Sequence, residues 1–252
     1  MSTFLISVLW RAPLVVLSTI VMGTVSLVTS LFDSEGRRQH WVARWWSRML
    51  LSIGGVEVSV EGLEKLSPGG AYVFASNHLS YMDTPVALWH IPVEFRFLAK
   101  MGLFQIPFLG WHLRRSGHLA VPRGDARGSL RTMTEAARVI QEKGISMLLF
   151  PEGGRTHGRL RSFKEGAAYI AIKARVPAVP VGIVGTRQVL PMGSLTLRPG
   201  KVTLRIGQPI STQNLSLKDR HALTLRFRDE VAKLSGLPLD PDSIAGDILN
   251  EA

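Results

Sequence analysis

Ala12 to Phe32 is a run of 21 residues without a charge, bounded by Arg11 and Asp33. At 1.5 Å per residue, a helix of that length just crosses a bilayer core of about 30 Å. A segment so long and apolar must be covered by lipid or by the rest of the protein. Ser18, Thr19, Thr24, Ser26, Thr29 and Ser30 keep its hydropathy moderate. A cleaved secretory signal fits poorly: one Arg precedes the run, no small-x-small site closes it, and it outlasts the usual signal core. A buried core helix is the second reading. A membrane-embedded helix, spanning or half-inserted, is the expected one.

The next segment points the same way. On a helical wheel, Val42, Trp45, Trp46, Met49 and Leu50 share one face, with Arg37, Arg44 and Arg48 beside it. Trp41 and Trp45 stand at the boundary. An apolar face edged by tryptophan and arginine predicts an interfacial helix over Arg37–Leu50. A helix packed on the protein's own core is the alternative. Basic residues after the apolar run orient the remainder toward the cytoplasm.

Thirty Lys and Arg against 19 Asp and Glu give a formal charge of +11, so an anionic partner is expected. Nucleic acid is disfavoured: no reader motif or stacking array accompanies the charge. With no cysteine, the chain has no disulfide, no thiolate nucleophile and no Cys-ligated zinc. His90, His112, His118, His157 and His221 show no metal-ligand spacing.

From Val56 the pattern changes. Strands are expected at Val56–Val60, Ala71–Ala75, Phe95–Ala99, His118–Val121, Met147–Phe150, Val179–Val184 and Val202–Ile206. Helices are expected at Pro85–Trp89, Ser129–Glu142, Lys164–Ala174 and Lys218–Leu234. The alternation predicts an α/β domain with a mostly parallel central sheet flanked by helices. Residues 1–52 read as membrane-embedded or interfacial helices, 53–235 as that domain, and 236–252 as a peripheral tail with a short weak helix.

Four motifs fall where the strands should end. The first is Asn77-His78-Leu79-Ser80-Tyr81-Met82-Asp83. Thr84 is a candidate cap for a helix starting at Pro85. His78 and Asp83 lie about 140° apart on a regular helix, so they meet only if the intervening loop folds back. A carboxylate-held imidazole is a general base for an alcohol. A polar turn whose Asp and Asn satisfy backbone groups is the bland alternative.

The second is Lys100-x-x-Leu103-x-x-x-Pro107-x-x-Gly110, followed by Arg123. It lies in a stretch, residues 91–175, with 15 basic and 6 acidic residues. Lys100 supplies a point charge and Arg123 a fork for phosphate. The intervening apolar residues suit an acyl groove or a membrane-facing surface, or else core. The third is Phe150-Pro151-Glu152-Gly153-Gly154-Arg155, whose glycines allow close backbone approach. The fourth is Val176-Pro177-Ala178-Val179-Pro180-Val181, leading to Gly185 and Thr186. Its prolines predict a sheet edge or strand start.

In content and order the four motifs resemble those of the glycerolipid acyltransferases, the family of the 1-acyl-sn-glycerol-3-phosphate acyltransferases. The one departure is Gly154, where the family usually has Thr. The resemblance implies His78 as catalytic base and Asp83 as its orienting partner, with direct attack on a thioester. It implies Lys100, Arg123 and Arg155 as phosphate ligands, with Glu152 and Gly153 shaping the acceptor site. It further implies a lysophosphatidic acid acceptor and an acyl-coenzyme A or acyl-acyl carrier protein donor as co-substrate; Gly154 leaves another lysolipid acceptor open, and a non-catalytic membrane protein that binds acidic lipid is the alternative of a different class. No cofactor or metal is expected. The implied place is the cytoplasmic face of a bacterial inner membrane.

Overall fold

The computed structural model describes residues 3–241. The apolar run becomes a helix over Thr3–Phe32, long and apolar enough to cross a membrane. Its outer face is uncovered: Val16, Leu17, Ile20, Val28, Leu31 and Phe32 are all exposed. Its other face is tied to the protein. Ser7 donates to Leu195 O and accepts from Leu197 N, and Arg11 donates to Leu197 O. Gly23 leaves room for the ring of Phe108, which would lie 2.4 Å from a Cβ there.

The second helix, Arg37–Gly54, corrects part of the sequence expectation. Val42 and Leu50, expected at a membrane face, are buried, and Trp46 packs against the core. Arg44 donates to the carbonyls of Ile91 and Trp89, and Arg48 stacks over the Trp45 and Trp89 rings. A wheel identifies the apolar face but not what covers it; here much of the cover is the helix Asp83–His90. Trp41 and Met49 stay exposed.

The described residues form a seven-stranded sheet in the order β1-β7-β6-β2-β5-β3-β4. The strands are β1 Val56–Glu61, β2 Val73–Ser76, β3 Phe95–Lys100, β4 Leu119–Val121, β5 Ser146–Leu149, β6 Ala178–Val184 and β7 Gly200–Ile206. All pairings are parallel except β6 with β7. Central β2 and β5 are buried along their whole length. That is the continuous apolar run expected of strands covered on both faces. One covering layer includes Val86, Leu88 and Ile91; the other includes Ala136, Ala167, Ile170 and Phe227.

β6 is an interior strand and not a sheet edge, while Pro177 immediately precedes its first residue, in keeping with the strand-start reading. Pro180 is tolerated because the β7 side departs from the ladder there. Gly207 donates to Pro180 O and Ile210 pairs with Ala178, so the intervening residues loop away from the missing N–H. The helix Leu109–Arg115 was not expected from sequence. After residue 236, Leu160 N donates to Pro238 O and Asp240 N to Leu160 O. The short helix expected beyond falls on 242–252, outside the described residues.

Candidate active site

β2 has β5 on one side and β6 on the other, all parallel, so three carboxyl ends open onto one edge. Each delivers a motif. β2 runs into Asn77 and His78, β5 into Phe150–Glu152, and β6 into Gly185 and Thr186. This is the usual location for chemistry in an open α/β sheet.

The loop after β2 folds back as the His–Asp spacing demanded. Its device differs from the expected one, because the helix begins at Asp83 and Thr84 does not cap it. Asp83 Oδ2 accepts from Leu79 N at 2.7 Å and Ser80 N at 2.8 Å, while Ser80 Oγ accepts from Met82 N. Ser80 and Asp83 thus form a reciprocal arrangement of the capping-box kind. The same Oδ2 accepts from His78 Nδ1 at 2.8 Å. The second oxygen, Oδ1, accepts from Thr186 Oγ1. Four donors surround a carboxylate with no exposed surface, which compensates for burying its charge.

A carboxylate only accepts, so Nδ1 of a neutral His78 carries the hydrogen and Nε2 presents a lone pair. Nε2 has no hydrogen-bond partner among the described residues, yet it is not sealed from solvent, and the side chain keeps 10% of its surface. The ring is clamped flat on Phe150, with centroids 3.9 Å apart and planes 13° apart. Its backbone is fixed too: His78 N donates to Glu152 Oε1 at 2.9 Å, and Thr156 N donates to His78 O.

Glu152 therefore acts on His78 through the backbone. Its other oxygen accepts from Arg161 N, and burial raises its pKa to about 7. Gly153 takes a left-handed φ of +73°, which a side chain would strain, and its carbonyl accepts from Arg123 at 2.7 Å. Arg123 thus braces the loop. Arg155 lies over the Tyr81 ring, 3.7 Å from its centroid. It is half-buried, which lowers its pKa, and lies within electrostatic reach of Asp83. Its Nε has no partner among the described residues. Lys100 stands exposed at the end of β3 and makes no hydrogen bond or ion pair with the other site residues.

Three contributors escaped the sequence reading. Thr186 holds Asp83 from 103 residues away. The Asn77 amide pairs with both Ile183 N and Ile183 O, fastening the loop to β6. Tyr81 supports Arg155. The Asn and Ser of the first motif were visible signals, but their partners lie on strands that only the sheet order brings near.

The chain has known relatives in sequence and in fold. A family model described as Acyltransferase matches residues 57–184, just over half the chain and all the strands that build the site. A chloroplastic 1-acyl-sn-glycerol-3-phosphate acyltransferase of Arabidopsis thaliana is 35% identical over 184 residues, covering 71% of this chain and 51% of its own. A 1-acyl-sn-glycerol-3-phosphate acyltransferase of Saccharomyces cerevisiae is 27% identical over 88% of this chain and 75% of its own. The chain spans about half the length of the plant relatives it matches. The crystal structure of PlsC, the 1-acyl-sn-glycerophosphate acyltransferase of Thermotoga maritima, superposes with a TM-score of 0.75. That match has 24% identity and covers 99% of this chain and 96% of the other. By the matched family model, this chain belongs to the acyltransferase family.

Proposed function

We infer that the protein transfers a fatty acyl group from a thioester to the free hydroxyl of 1-acyl-sn-glycerol-3-phosphate, giving phosphatidate at a membrane surface. The observation that carries this reading is the His78–Asp83 bond, which leaves Nε2 as an unbonded base on a side chain that keeps 10% of its surface. The acceptor hydroxyl gives its proton to Nε2 as its oxygen attacks the thioester carbonyl. The new C–O bond forms, the C–S bond breaks, and the imidazolium returns the proton to the leaving thiolate. Asp83 stabilises the transient imidazolium and fixes the tautomer. Base catalysis of this kind contributes on the order of 10²–10⁴-fold.

Arg155 is the group best suited to the acceptor phosphate: half-buried, held over the Tyr81 ring, and in no salt bridge among the described residues. Lys100 adds a cation at the exposed end of β3, and Arg123 acts mainly by holding the Gly153 turn. Fixing the phosphate positions the hydroxyl at His78, an effect of several kcal/mol in favourable cases. The donor is acyl-coenzyme A or acyl carrier protein, a co-substrate, and no cofactor is needed. The uncovered helix Thr3–Phe32 anchors the domain to the cytoplasmic face of the membrane.

The test is an acceptor panel with one labelled thioester. Wild-type protein should convert lysophosphatidate to phosphatidate. Arg155→Ala should raise the KM for lysophosphatidate about 10- to 100-fold, the value of a lost charge-assisted hydrogen bond. A monoacylglycerol acceptor should hardly respond to the same change. Equal weakening of both acceptors would refute the phosphate role, and absence of phosphatidate would refute the function.

A further inference from the structure

A second basic feature lies outside the set of residues just described. A cleft of about 420 Å³ opens between the end of the Thr3–Phe32 helix and the helix Leu109–Arg115. Leu27, Ser30 and Leu31 line one side, and Trp111, Arg114 and Arg115 the other. Its two walls are fixed to each other. Ser26 and His112 share a 2.7 Å hydrogen bond across the same helix pair, and Phe108 fills the space above Gly23. The cleft is therefore preformed.

Its electrostatics are unbalanced. Arg114 and Arg115 are exposed and form no ion pair or side-chain hydrogen bond among the described residues. The acidic groups of the adjoining turn are occupied elsewhere. Asp33 accepts from the backbone of Glu35, Gly36 and Arg38, and Glu35 pairs with Arg37 at 2.8 Å. The apolar lining continues the uncovered face of the long helix: Leu31 is 69% exposed and Phe32 71% exposed, and Trp111 is 57% exposed. Cations, an indole and aliphatic residues at the end of an uncovered apolar helix match the boundary between headgroups and acyl chains.

We propose that this cleft binds one anionic phospholipid of the surrounding bilayer, separately from the acceptor at His78. The two guanidinium forks take the headgroup phosphate and its neighbouring oxygens. An acyl chain lies along Leu27 and Leu31, and Trp111 packs between them. The occupant is a lipid and not an acidic protein, because one wall is apolar and continuous with the uncovered apolar face of the Thr3–Phe32 helix, the face read above as the membrane anchor. The site makes attachment selective for anionic membrane, which apolar burial alone cannot do.

The experiment uses the full-length protein in a neutral detergent, titrated with dihexanoyl phosphatidylglycerol or dihexanoyl phosphatidylcholine below their micellar concentrations. Trp111 fluorescence is isolated by subtracting the Trp111→Phe variant. The expected result is a saturable signal at one lipid per chain for phosphatidylglycerol and no saturation for phosphatidylcholine or inorganic phosphate. The double substitution Arg114→Gln, Arg115→Gln should weaken it at least about tenfold, given roughly one kcal/mol per basic residue near an anionic headgroup. Arg127→Gln with Arg131→Gln, an equal loss of charge elsewhere, should leave it unchanged, as should His78→Ala. Equal binding of the two lipids, equal losses for the two double variants, or a signal produced only by an acidic carrier protein would each overturn the proposal. Because the readout is binding, it is independent of whether His78 catalyses acyl transfer.

Discussion

The molecule contains two histidine environments removed from water, and they are built on opposite terms. At the carboxyl edge of the sheet, His78 is backed by an ionisable partner that receives four hydrogen bonds. Around the N-terminal helices, His40, His112 and His118 have no carboxylate partner among the described residues. His40 has no hydrogen bond on either nitrogen, His112 meets Ser26, and His118 Nδ1 accepts from Phe97 N. Desolvation, followed by His112 and Arg96, pushes the His118 pKa well down, and desolvation alone lowers that of His112 to about 4. For His40, desolvation followed by Arg96 and Arg44 lowers it to about 3. Burial alone therefore yields an inert neutral ring. A base requires, in addition, a carboxylate behind one nitrogen and an opening at the other.

The strongest way to break this contrast is to remove the carboxylate's charge while keeping its shape. Asp83→Asn should lower kcat by up to about 10⁴-fold, because an amide can hold the wrong tautomer. The measured folding transition should persist. Wild-type turnover in that variant would place His78 in the same inert class as His40.

A smaller change sharpens the point. Thr186→Val removes one of the four donors and leaves an uncompensated acceptor on Asp83, at a cost of about 1–3 kcal/mol. Activity should fall by about tenfold or more and be restored by Thr186→Ser. The pH–rate profile should shift too, which a packing defect alone would not cause. No rescue by Ser would show that the methyl, not the hydroxyl, matters.

The inert set makes a prediction about stability. Its folded pKa values lie below the unfolded value near 6.5, so the unfolded chain binds more protons between those limits. Their contribution to stability is thus complete above about pH 6.5 and lost as pH falls, through about 4 for His112 and about 3 for His40. For His40 the loss at pH 5 is about 2 kcal/mol. His40→Leu should flatten this acid slope in urea unfolding followed by Trp fluorescence. An unchanged slope would mean that His40 is not held neutral.

Glu152 has the opposite sign and the smallest expected effect on the comparison. Its raised folded pKa gives stability present below about pH 4.5 and lost as pH rises through about 7. Glu152→Gln should therefore compare best with wild type at alkaline pH. A difference that does not vary with pH would contradict the burial of an ionisable group there.

Much of this contrast was legible in the sequence on one side only. Asn77, His78, Ser80 and Asp83 lie within seven residues, so spacing and turn chemistry brought out the loop before any fold was known. All seven strands were visible as short apolar runs. Thr186 was not, because its role exists only once β6 lies beside β2. The inert histidines were equally hidden: positions 40, 112 and 118 share no period. The tryptophan-rich second helix shows the same limit, since its apolar face was readable but its covering helix was not. Pro180 misled for a local reason, the departure of the neighbouring chain at Gly207.

The most direct measurement is product formation from labelled acyl-coenzyme A and lysophosphatidate by purified wild-type protein and by His78→Ala, with free thiol counted in parallel. Wild type should give phosphatidate and thiol in equal amounts. His78→Ala should lose both by about 10²–10⁴-fold while its unfolding midpoint stays close to that of wild type. Undiminished phosphatidate from the alanine variant would contradict the assignment of His78 as the base.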